Sequence, residues 1–73
     1  MTTPLDQALL DAHVRDDRGL LITLYQQAAQ DAASEQACGF FLTQAFIYAL
    51  ECGDTQAEAL RQRLAEMGRE SLG

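Results

Sequence analysis

The run Gly39-Phe40-Phe41-Leu42-Thr43-Gln44-Ala45-Phe46-Ile47-Tyr48-Ala49-Leu50 limits what this chain can fold into more than any other part of it. It is too apolar for an ordinary surface helix. Thr43, Gln44 and Glu51 interrupt it well before the roughly 18 apolar residues that a membrane span requires. Ser34 can cap a helix ahead of it, and Gly53 can end one after it as a left-handed C′ residue. At 100° per residue, Cys38, Phe41, Leu42, Ala45, Tyr48, Ala49 and Cys52 fall on one broad face, and Phe46 and Leu50 widen it. The remaining sector holds Thr43, Gln44 and Glu51, but also Phe40 and Ile47, one heptad apart. A helix apolar on nearly all sides belongs at the centre of a helical core. Its sequence neighbours can cover the broad face, while Phe40 and Ile47 need a third cover. That cover is either the first helix or a second copy of the chain.

The rest of the sequence supplies the neighbours. Thr3-Pro4 reads as an N-cap followed by a proline at the first helical position, with Leu5, Ala8, Leu9 and Ala12 behind it at helical spacing. Asp16 or Asp17 can cap a second helix whose apolar face is Leu20, Leu21, Leu24, Tyr25, Ala28, Ala29 and Ala32. Thr55-Gln56-Ala57-Glu58 has capping-box spacing, with Asp54 as the alternative cap, ahead of a narrow stripe of Ala57, Leu60, Leu64 and Met67. The expected helices span about 4–15, 18–33, 35–52 and 55–68, and Gly68 and Gly73 bound a frayed tail. No strand pattern occurs, and the short connections favour antiparallel neighbours. The fold class is therefore all-α: a three- to four-helix antiparallel bundle of α-hairpins around a central apolar helix, in a single domain spanning 1–73.

With 73 residues and a hydrophobic fraction of 48%, the chain is globular in composition yet short for a self-sufficient core. Small domains make up the deficit with disulfides, a metal, very regular packing or self-association. Cys38 and Cys52, on one helix, would lie about 21 Å apart, too far for an internal bridge, and are expected to be buried free thiols. The formal net charge is −6, from 11 acidic residues against five arginines. Arg15, Arg18, Arg61, Arg63 and Arg69 each have acidic neighbours in the sequence, so no basic patch for nucleic acid forms. The N-terminal Met1-Thr2-Thr3-Pro4-Leu5-Asp6 has neither the basic nor the apolar region of a signal peptide, and a soluble cytoplasmic protein is expected.

The segments Leu24-Tyr25-Gln26-Gln27-Ala28-Ala29 and Ala37-Cys38-Gly39-Phe40-Phe41 resemble a tetratricopeptide or Sel1-type helical hairpin, in which an alanine is followed four residues later by an aromatic. Tyr48 to Asp54, followed by Ala57 and Leu60, is similar to the end of one repeat entering the next. The resemblance covers roughly residues 20–65, about one and a half repeats, without the tryptophan or closing proline of the family. It implies a protein-interaction module and no chemistry.

Catalytic and metal-binding patterns do not emerge. His13 is the one histidine. It lies two residues from Asp11, on a diverging helical direction, and is expected as a partly exposed residue at a helix end. Nothing beside Cys38 would activate a thiol, and Gly39 and Gly53 are too isolated to form a phosphate loop. No catalytic, metal-binding or cofactor-binding residue is assigned, and no cofactor is expected. The expected function is a small non-enzymatic, adaptor-like interaction module that pairs with itself as a homodimer or binds another protein. Phe40, Ile47, Gln44 and Glu51 form its interface. The alternative is a small-molecule-binding or enzymatic bundle with a pocket near Tyr25, Phe41 and Tyr48, and with Cys38 as a further lining residue.

Overall fold

The structure of the chain, a computed structural model, describes residues 3–68. Four helices follow one another: α1 (Pro4–Val14), α2 (Arg18–Asp31), α3 (Glu35–Cys52) and α4 (Gln56–Glu66). The all-α class and the helix order are as the sequence implies. The expected tail beyond Gly68 lies outside the described residues.

Local chemistry sets the helix ends. Thr3 Oγ1 accepts from the Asp6 amide at 3.0 Å, and the Asp6 carboxylate accepts from the Thr3 amide at 3.4 Å, a reciprocal capping box. Asp17 Oδ1 accepts from the Leu20 amide at 3.2 Å and opens α2. Ser34 Oγ accepts from the Ala37 amide at 3.1 Å and opens α3. At α4 the capping box expected at Thr55 and Glu58 does not form. Thr55 is itself helical and makes no capping bond with its side chain, while Asp54 Oδ1 accepts from the Gln56 amide at 2.8 Å. Glu58 turns instead to Arg61, whose hydrogen bond holds its carboxyl below the usual carboxylate range. Helix α2 stops at Asp31, two residues early, because Ala32 adopts extended backbone.

Two helices close with the same device. After α3, Gly53 takes a left-handed conformation at φ 65°, and the Asp54 amide donates back to the Ala49 carbonyl at 2.9 Å. After α1, Asp16 takes it at φ 55°, with the Asp17 amide donating to the Ala12 carbonyl at 2.9 Å. Aspartate tolerates this region better than most residues with a Cβ. Gly53→Ala should lower the unfolding free energy by about 1 kcal/mol in urea denaturation, since a Cβ is strained there even though the space around it is open. An unchanged midpoint would show that the turn relaxes away from the left-handed region.

The helices pack in chain order. Helix α1 lies on α2, α2 on α3 and α3 on α4; among the described residues no other pair brings Cα atoms within 8 Å. The Cα envelope is accordingly thin, 35 × 29 × 14 Å. The α2–α3 contact is the most extensive, and small residues line it. Ala29, Ala45 and Ala49 are buried together, and Gly39 is buried on α3. Small side chains let two helix backbones approach closely and leave the apolar filling to their neighbours. Ile22, Leu42, Leu60 and Leu64 supply it from three helices. A second, smaller core joins α1 to α2 through Ala12, Leu21 and Leu24, with Leu5, Ala8, Leu9 and Leu20 around them. Among the described residues no polar or charged residue is fully buried.

Helix α1 is not the cover for the outer side of α3. Helix α1 spends its apolar face on α2 and does not reach the outer side of α3. Phe40 and Ile47 therefore stay exposed in the single chain, at 55% and 42%. The two thiols are free but not both buried: Cys38 is half-buried against the main core, and Cys52, in the last turn of α3, is exposed.

Candidate functional site

The outer side of α3 is where sequence reasoning placed an interface, and the structure keeps those residues on one stripe. Phe40, Gln44, Ile47 and Glu51 succeed one another at alternating steps of four and three, which keeps side chains on one helix face. Phe40, Ile47 and Glu51 are exposed and Gln44 is half-buried. Leu50 belongs with them. The sequence reading placed it at the margin of the covered arc, yet it is 57% exposed. Helix α4, at 11 residues, is much shorter than the 18-residue α3 and does not cover Leu50, while Phe46 still packs against the core.

The polar groups along the stripe are largely occupied. Thr43 Oγ1 donates to the Gly39 carbonyl of its own helix at 2.8 Å. Glu51 Oε1 lies 3.6 Å from Arg18 Nε, and Asp16 Oδ1 lies 3.5 Å from the same nitrogen. This pairing ties the start of α2 to the end of α3, as antiparallel neighbours require. The stripe thus presents an apolar surface with a single charged residue, and that charge already has a counter-ion.

Behind the stripe runs a row of rings, of which sequence reasoning grouped Tyr25, Phe41 and Tyr48 but not Phe40 or His13. Phe40 meets Phe41 edge-on at 5.5 Å between centroids. Tyr25, from α2, stacks on Phe41 at 6.2 Å and on Tyr48 at 6.0 Å. Phe41 and Tyr48 are one heptad apart on α3, about 10.5 Å along its axis, so the Tyr25 ring sits between them. His13, at the end of α1, meets both tyrosines edge-on, and its Nε2 lies 2.9 Å from Tyr25 Oη. The sequence reading saw His13 as a partly exposed residue at a helix end, and it is exposed in the last turn of α1. The ring is exposed at its margin but also carries the one side-chain hydrogen bond shown between α1 and another helix. The signal available was position: His13 follows Leu9 by four residues and so extends the apolar face of α1.

The same row bears on the pocket considered near Tyr25, Phe41 and Tyr48, since these rings pack face to face against one another. The grooves described lie elsewhere. One of about 520 Å³ runs between α1 and α2, lined by Pro4, Leu5, Ala8, Leu24 and Gln27 among others. Among the described residues no three of His, Cys, Asp and Glu come together as metal ligands, and no helix is long and apolar enough to cross a membrane.

No protein family model, curated protein or solved structure matches this chain. The functional reading therefore rests on the geometry.

Burial among the rings, and to a lesser degree the neighbouring Tyr48, raise the Tyr25 phenol above its ordinary value of 10.0. The fold favours the neutral phenol. Its contribution is complete below pH ~10 and is lost as the pH climbs through the raised value. Thermal unfolding midpoints should therefore fall above pH ~10, and Tyr25→Phe should flatten part of that decline. An unaltered alkaline profile in the variant would remove Tyr25 from the cause.

Proposed function

We propose that this chain is a small helical protein-interaction module without catalytic activity, and that it docks and self-associates through the exposed stripe of α3. The observation that carries the reading is the exposure of Phe40, Ile47 and Leu50 on a helix whose other sides are covered by α2 and α4. Exposed apolar residues scattered singly are ordinary, whereas three on one stripe of the same helix form a continuous surface. An aromatic ring with aliphatic neighbours suits the centre of an interface, with Gln44 and Glu51 at its margin. The resemblance of residues 20–65 to tetratricopeptide hairpins supports the same kind of function. Two free cysteines suit a reducing compartment, and the cytoplasm is the proposed location.

The alternative of a ligand pocket has less to support it, because its lining rings occupy one another. The test is the solution mass by light scattering of wild type beside Phe40→Asp/Ile47→Asp. A two-chain mass that drops to one chain in the variant supports the reading. A single-chain wild type, or a variant that keeps the two-chain mass, removes it.

A further inference from the structure

The stripe on α3 has a property that selects its occupant: its apolar residues pair off about a single centre along the helix. Take the point midway between Thr43 and Gln44 as a centre. Reflection along the helix about that point exchanges Phe40 with Ile47, Ala37 with Leu50, and Gln36 with Glu51. Large apolar residues exchange with each other, a small residue exchanges with a large one, and an amide exchanges with a carboxylate. Self-complementarity of this kind is what a twofold interface between identical surfaces requires.

We infer that two copies of the chain pair through α3 in antiparallel orientation, about a twofold axis passing between Thr43 and Gln44. The inference rests on the interaction reading above and specifies the partner and the register. In this arrangement Phe40 of each copy lies on Ile47 of the other, and Leu50 packs over the small Ala37. At the axis lie the half-buried Thr43 and Gln44, and the Thr43 hydroxyl is already donated to the Gly39 carbonyl. A parallel pairing would set Glu51 against Glu51 and leave Leu50 against Leu50 without its small counterpart. Like charges directly opposed are unfavourable. A basic peptide would find only one carboxylate on this surface, and Arg18 already neutralises it.

The pair Glu35 and Cys52 provides the test, since both are exposed, lie at opposite ends of α3, and are related by the reflection. They are about 25 Å apart along the axis, and paired helices lie about 9 Å apart. One preparation carries a nitroxide on Cys52 in a Cys38→Ala background. A second carries it on Glu35→Cys in a Cys38→Ala/Cys52→Ala background. Electron paramagnetic resonance distances are read on each preparation alone and on an equimolar mixture, with solution mass measured on the same samples. The antiparallel pair predicts backbone separations of about 28 Å between like labels, and about 12 Å between unlike labels in the mixture, since both positions lie on the side of α3 away from the seam. Short distances between like labels and long ones between unlike labels overturn the antiparallel register, while the two-chain mass leaves the interaction reading standing. A single-chain mass without dipolar coupling overturns both.

Discussion

Leu42→Ala should remove about 3 kcal/mol of unfolding free energy in urea denaturation, measured on the single chain. Leu42 is completely buried, at 0% exposure, and among the described residues is the one large α3 side chain that is fully buried. Three of its partners in the core are Ala29, Ala45 and Ala49, which have no side chain to move into the vacated space. The others, Ile22, Leu60 and Leu64, come from α2 and α4. A cavity at this junction therefore weakens two helix–helix contacts together and cannot collapse cheaply. A domain of this size has a total stability of order 5 kcal/mol, so the loss is more than half of it. Leu50→Ala on the same helix is the control: at 57% exposure it should stay within about 0.5 kcal/mol of wild type in the single chain. A Leu42→Ala loss below about 1 kcal/mol would mean that α4 does not dock over Leu42 as described.

Much of the fold was legible because the signals were local. The N-caps at Thr3 and Ser34 and the left-handed glycine at Gly53 each depend on a few adjacent residues, and each is found where its residue type implies. Asp16 was harder to read, since an aspartate at a left-handed helix end looks in sequence like one more candidate cap. The choice between Asp54 and Thr55 turned on a single backbone angle, which composition does not specify. Phe40, Gln44, Ile47 and Glu51 could be singled out because their positions follow from helical geometry alone. What covers them could not be read, because that depends on where α1 goes. Helix α1 goes to α2, since Leu21 and Leu24 lie on a different sector of α2 from Ile22 and Ala29 and give it a second apolar face. A single broad arc on α2 concealed that division. The place of His13 in the ring row was missed for the same reason: His13, Tyr25 and Tyr48 come from three helices, and no spacing within one helix brings the histidine to the tyrosines.

The Phe40→Asp/Ile47→Asp variant should separate association from folding. Both side chains face solvent in the single chain, at 55% and 42% exposure, and neither lies in the cores at α1–α2 or α2–α4. Its helical circular dichroism should therefore match wild type, and its unfolding free energy on the single chain should lie within about 1 kcal/mol. Association should respond far more strongly. Four carboxylates would enter one symmetric interface that otherwise buries four large apolar groups, and the affinity should fall by at least about a hundredfold, equivalent to some 3 kcal/mol. Salt gives an independent check. Each wild-type copy carries a formal charge of −6, so two copies repel at long range while the seam itself is nearly neutral. Screening should then tighten the wild-type dimer as ionic strength rises. A basic partner would give the opposite slope, because salt would screen an attraction. Dimer affinity that weakens with salt would place the contact on pairs of opposite charge, acidic residues of one copy against arginines of the other, instead of on the Phe40–Ile47 stripe.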